Sequence, residues 1–275
     1  MTRTRDMTRG NPFGLLFGFA FSLMIGNVFQ QLYTFVDTMI VGKYLGVTAL
    51  AALGATEWLV FVMFGCVQGI TQGFSISMAK RFGSHDEEKL KKDMGASVLL
   101  CLVLGVLFTI VGIALCKLVL QLLHTPQDMI GMAQVYLRTL YSGVCISFGY
   151  NILAAFLRAV GDSRTPLVAV SLAAVCNIVL DLLFVVILHL GVFGAALATL
   201  LSQLLSAVYC LRVVRDSGFV RIGRADLEIR PERCRRLLGL GLPMGAQNVI
   251  TGLGGVAVQS VINGFGTIFV AGFTA

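Results

Sequence analysis

From Met94 to Cys116 the sequence carries no charged side chain, and the same holds for Trp58–Ala79, Gly191–Leu211 and Leu237–Ala275. A helix of about 20 residues crosses the roughly 30 Å hydrocarbon core of a bilayer, and each of these runs is long enough. Strands of a membrane barrel would alternate apolar and polar over about ten residues, and these runs do not. The chain therefore reads as an all-α, polytopic membrane protein. Composition agrees: 57% of the 275 residues are hydrophobic and 13% are charged, more apolar sequence than a soluble core needs.

Spans are predicted at about 13–41, 47–79, 94–117, 130–157, 165–188, 192–212 and 237–265. The first is too long for a cleavable signal peptide, and further spans follow directly. Residues 1–211 then form a six-helix transmembrane lobe. Residues 212–236 are a basic linker containing Pro231, of the kind that joins membrane lobes. Residues 237–275 begin a second lobe with helix seven, and the lack of a polar tail after Ala275 predicts that this lobe is cut short. An offset of 220 residues brings Gly46 onto Gly266, Ala51 onto Ala271 and Leu45 onto Phe265. That faint self-similarity fits a transporter of two repeated bundles. Helix starts are also legible. Ser84-His85-Asp86-Glu87 is a capping-box pattern, Thr125-Pro126-Gln127-Asp128 puts proline at the first helical position, and Thr165-Pro166 opens span five.

The basic residues are sharply sorted. Arg3, Arg5 and Arg9, then Lys80, Arg81, Lys89, Lys91 and Lys92, then Arg158 and Arg164, and eight arginines from Arg212 to Arg236 fall on one side of the predicted spans. The opposite loops hold Lys43 and Lys117. The positive-inside rule places the N-terminus in the cytoplasm and makes this a multi-pass protein of the plasma (inner) membrane. The basic loops lack interleaved aromatics and topology accounts for them, so no nucleic-acid partner is expected. Cys66, Cys101, Cys116, Cys145, Cys176, Cys210 and Cys234 form no C-x-x-C pair and read as small buried hydrophobes, Cys234 apart. His85, His124 and His189 fall in different loops and offer no metal site at ligand spacing.

Asp37 ends the uncharged run that starts at Gly10, and Asp181 interrupts the apolar stretch Pro166–Leu188. A carboxylate at membrane depth costs at least a few kcal/mol and usually faces a polar cavity. Both aspartates fall in the outer half of their spans, so they can share one water-filled cavity and titrate as a coupled set. Asn177 lies one helical turn before Asp181 on the same face. Glu57, about ten residues into span two, either lines the same cavity or sits near Trp58 at an interface, and Gln31 and Gln72 are further wall candidates. No G-x-S-x-G, H-E-x-x-H or aspartate-rich diphosphate motif is present, so transport rather than catalysis is expected. The glycines from Gly239 to Gly255 lack a Lys-Ser/Thr ending and suit close helix packing.

These residues fall into recognisable segments. Val36-Asp37-Thr38-Met39-Ile40-Val41-Gly42, followed by Ala49-Leu50-Ala51-Ala52-Leu53-Gly54, resembles the helix one to two signature of multidrug and toxic compound extrusion (MATE) transporters. Leu157-Arg158-Ala159-Val160-Gly161-Asp162-Ser163-Arg164-Thr165-Pro166 is similar to the turn before helix five of that family. Asn177-Ile178-Val179-Leu180-Asp181, Gly194-Ala195-Ala196-Leu197-Ala198-Thr199 and Gly241-Leu242-Pro243 resemble its helices five, six and seven. The resemblance implies a rocker-switch antiporter of twelve helices in two pseudo-symmetric lobes, of which this chain holds the first lobe and the start of the second.

In one branch of that family a polar cluster takes up H⁺ or Na⁺ and drives bending of helix one. Matched position by position, the cluster falls on Asp37, Tyr136, Asn177, Asp181 and Thr199. Na⁺ would be held by Asp37, Asn177 and Asp181. No cofactor beyond the coupling ion and no resident metal is implied. Span one lacks the proline that many members carry near Ala20–Ser22, and no acid stands near Thr251 on helix seven as in another branch. The implied function is cation-coupled export of amphipathic, cationic compounds by alternating access. Two alternatives stay open. A lipid-linked oligosaccharide flippase of the same superfamily would want basic residues in its cavity, for which Arg138 is the only candidate. A non-transporting half-transporter fragment would need the missing C-terminal lobe as its partner.

Overall fold

Long uncharged runs become long helices. The computed structural model describes residues 12–216 and 230–274, and no strand occurs among the described residues. Arg3, Arg5, Arg9, Ala275 and the middle of the 212–236 linker lie outside the described residues, as do the side chains of residues 12, 15 and 16. The helices are α1 (Pro12–Leu45), α2 (Val47–Gly83), α3 (Glu87–Leu122), α4 (Gln127–Ser142), α5 (Val144–Ala159), α6 (Arg164–Asp181), α7 (Gly191–Asp216), α8 (Pro231–Asn263) and α9 (Thr267–Thr274). A π-helical stretch, Leu182–Ile187, continues α6.

Among the described residues, α1, α2, α3, α6 with its π-helical extension, and α7 are each long and apolar enough to cross a membrane, and α4 with α5 makes a sixth, bent span. The predicted straight span 130–157 is therefore corrected to two helices meeting at 48°. The break falls at Gly143, where an added Cβ would lie 2.1 Å from Leu200 of α7. The bend admits that leucine. The 33-residue α8 is long enough to span, but amides at Gln247, Asn248, Gln259 and Asn263 dilute its apolar sequence.

Three expected helix starts move. Asp86, not Ser84, caps α3: its Oδ1 accepts from the Lys89 amide at 3.2 Å, while Ser84 ends α2 and donates its hydroxyl to the Arg81 carbonyl. The Lys89 ammonium and amide beside it hold the Asp86 carboxyl below its ordinary pKa. Pro126 stands at the N-cap of α4 rather than inside its first turn. Thr165 does not start α6, because Asp162 accepts from the amides of Arg164 and Thr165 at 3.1 and 2.9 Å and the helix begins at Arg164. A carboxylate binds such free N–H groups better than a hydroxyl does. The three histidines each close a helix in the left-handed region, at φ 55, 52 and 52° for His85, His124 and His189.

Glycine sets how close α8 lies to α2. A Cβ on Gly73 would meet Gly241 Cα and Leu240 O at 2.4 Å, and one on Gly69 would meet Met244 O at 2.5 Å. Backbone therefore packs on backbone, as small residues permit in membrane helices. Both ends of α8 are also tied to the first lobe. At the basic face, Asp93 at the start of α3 is 1% exposed, accepts from Ser77 at 2.7 Å and takes a bidentate Arg236 guanidinium at 2.8 Å. Arg233 and Arg81 complete the ion cluster at 3.3 and 3.6 Å. At the opposite face Asn263 donates to the Leu123 carbonyl at 3.0 Å and Thr267 donates to Asp128 at 2.6 Å.

The repeat is visible in the backbone. Gly46 between α1 and α2 has φ 86°, and Gly266 between α8 and α9 has φ 90°. Each carbonyl accepts from the amide four residues on, Leu50 and Val270 respectively, at 3.1 Å. The offset of 220 residues relates these bonds, and it also maps Gly54 onto Thr274. Those two residues touch, since a Cβ on Gly54 would overlap the Thr274 hydroxyl. Contact between equivalent residues of two repeats marks the axis that relates them.

Candidate cation-coupling site

Asp37 lies on α1 eight residues before its end, roughly 12 Å below the face opposite the basic one. Asn177 and Asp181 lie one turn apart on the last part of α6, which packs against α1. All three are buried: Asp181 is 0% exposed, Asn177 1% and Asp37 7%. The two carboxyl groups approach within hydrogen-bonding reach of each other. Around them Val36, Ile40, Val41, Val185 and Val186 form an apolar cluster that keeps water scarce.

The polar atoms of this group have no protein partner. Among the described residues, Asp37 Oδ1, both oxygens of Asp181, and the oxygen and nitrogen of the Asn177 amide are buried without a hydrogen bond. Buried polar groups are nearly always paired, so five such atoms in one place need an explanation. Two adjacent carboxylates cannot both stay bare anions in a dry site, because burial and repulsion act together against it. A proton shared between them, or a small cation bound by both and by the Asn177 oxygen, removes the conflict. Hard oxygen donors are the right chemistry for either. The residues present fit H⁺ or Na⁺.

Beside the pair opens a cavity of about 1060 Å³, whose wall includes Asp37, Tyr136, Glu57 and Gln31. Asp37, Tyr136, Asn177 and Asp181 thus belong to one neighbourhood. Thr199 on α7 stands apart in its bonding: its hydroxyl donates to its own helix, at Ala195 O, 3.2 Å away. Gln72 does not line the cavity. It sits some 22 Å further along α2 than Glu57, toward the basic face, because both share one straight helix. Arg138 is exposed and does not line the cavity either. Two features escaped the sequence reading. The π-helical stretch starts at the residue after Asp181, and such wide turns recur at functional sites. The Asp93 cluster was hidden at the edge of a lysine-rich loop that looked merely solvated.

Residues 22–183, more than half of the chain, match the family model MatE. The chain belongs to the MatE family. Among curated MatE relatives it is 33% identical over 270 residues to "Probable multidrug resistance protein YpnP" of Bacillus subtilis, a match that covers 98% of this chain and 60% of YpnP. It is 32% identical over 259 residues to "Probable multidrug resistance protein YoeA" of the same organism, covering 90% of this chain and 56% of that relative. In structure it resembles the inward-facing conformation of a multidrug resistance MATE family transporter, with TM-score 0.83 and 30% identity over 89% of this chain and 56% of the other. The outward-facing conformation of such a MATE transporter gives TM-score 0.82 and 28% identity over 87% and 53%. The chain spans about 60% of the length of these MatE relatives or less.

Proposed function

We propose that this chain is the cation-coupled lobe, with the opening helices of a second lobe, of a secondary exporter. The exporter moves amphipathic, cationic compounds out across the plasma membrane in exchange for H⁺ or Na⁺. Its N-terminus and basic face are cytoplasmic, in line with the sorting of lysine and arginine. The observation that carries the reading is the contact of Asp37 with Asp181 beside Asn177, with five buried polar atoms unpartnered.

The chemistry follows from that contact. An ion arriving from the outer face settles between the carboxyl groups, relieves their repulsion and draws α1 toward α6. Loss of the ion to the cytoplasm restores the repulsion and loosens the same helix pair. Occupancy thereby biases the position of α1, whose residues line the substrate cavity. An ion that binds one arrangement better than another shifts the balance between them, and that differential affinity is the coupling. Names borne by the relatives support multidrug export, and the exposed position of Arg138 disfavours the flippase reading.

Proteoliposomes loaded with ethidium test the proposal. Asp181→Asn is expected to lower efflux driven by a pH or Na⁺ gradient about ten-fold or more, because the pair then carries one ionisable group instead of two. Gradient-driven efflux at the wild-type rate from that variant would overturn the coupling role.

A further inference from the structure

Glu57 is the acid that the coupling site leaves unused. It lies ten residues into α2, roughly 15 Å from the helix start, where an ionisable group is expensive. Its side chain is exposed to the cavity of about 1060 Å³, and among the described residues it makes no hydrogen bond or ion pair. The one basic residue on the same wall, Lys43, stands over the Tyr44 ring with its ammonium 5.6 Å from the centroid. Trp58, the next residue, is seated on Gly255 of α8 and packs edge-on against Phe61 at 5.6 Å. That anchor fixes the rotation of α2, so Glu57, about 100° round the helix, is held toward the cavity.

The location matters as much as the charge. Thr274 and Gly54, the touching pair on the repeat axis, line the same cavity, and Glu57 is three residues from Gly54. Substrate sites of repeat-built transporters lie at the interface between repeats. Phe35, Tyr44 and Tyr136 add aromatic surface to the wall, suited to a delocalised or quaternary cation. The volume admits a drug-sized molecule.

We infer that Glu57 is the specificity-determining carboxylate that recognises the positive charge of an organic cation in this cavity, in a role separate from the Asp37–Asp181 pair. The inference rests on the export reading above. It predicts that the chain binds a lipophilic cation through Glu57 and a neutral molecule of the same shape without it.

The test uses the purified chain in lipid nanodiscs, with tetraphenylphosphonium as the cation and triphenylphosphine oxide as its neutral counterpart. Glu57→Gln is expected to weaken tetraphenylphosphonium binding about ten-fold or more while leaving the neutral probe unchanged, which also certifies the fold of the variant. Glu57→Asp, which keeps the charge, should restore most of the affinity. Equal tetraphenylphosphonium affinity in wild type and Glu57→Gln overturns the role of Glu57 and leaves the export reading standing. Loss of both probes in Glu57→Gln without rescue by Glu57→Asp also overturns it, since the side chain then acts on the fold. Absence of any tetraphenylphosphonium binding by the wild type overturns the inference together with the substrate class of the export reading.

Discussion

At the scale of the residue, charge in the wrong place carries the information. Asp37 and Asp181 were legible because each breaks a long uncharged run, and the structure brings both to one spot with Asn177. Asp93 was not legible, since Lys89, Lys91 and Lys92 next to it make an ordinary solvated loop in sequence. Its three arginine neighbours come from α2 and α8, and no local pattern announces that meeting. The two kinds of buried acid differ physically. Asp93 is neutralised by the protein, whereas the Asp37–Asp181 pair calls for an ion from outside. Asp93→Asn leaves the clustered guanidiniums without their anion. It should cost about 2 kcal/mol, below the range for fully buried pairs because Arg236 is 44% exposed, and thermal unfolding in detergent measures it. Unchanged stability would mean that water alone satisfies these arginines.

At the scale of the element, hydropathy reports where a helix crosses and says nothing of whether it bends. The run 130–157 was found as one span, but the 48° turn at Gly143 depends on Leu200, some sixty residues later. The π-helical stretch after Asp181 is invisible for a similar reason, as Leu182–Ile187 is as apolar as any straight helix. Close packing was easier to read. The glycines of α8 pointed to a small-residue interface, and the structure pairs them with Gly69 and Gly73 of α2. Gly73→Val should therefore push the two backbones apart and cost about 1–3 kcal/mol, whereas Gly83→Val, with nothing near its Cβ, should cost much less. Parallel melting curves of the two variants check this. Equal losses would show that helix propensity, not contact, sets the effect.

At the scale of the whole molecule, the offset of 220 residues was faint in sequence because only a few small residues match. The backbone makes it plain, since Gly46 and Gly266 share a positive φ and an equal 3.1 Å closing bond. Alanine at either site must adopt a conformation that side chains avoid. Gly46→Ala and Gly266→Ala should thus each cost about 1–3 kcal/mol, and by similar amounts, as measured by unfolding in one detergent. A large difference between them would break the equivalence of the two turns. The same molecular view gives α8 a mechanical character. It is a beam clamped at both supports, by Asp93 at one face and by Leu123 and Asp128 at the other. Pro243 lies between the clamps and forfeits a hydrogen bond of the helix ladder. A load applied from the segments that follow α9 meets two fixed ends and one compliant point. Such a beam bows before it tips, and its deflection is greatest near the proline, where Gly241 and Gly245 press on Ile70 and Phe74.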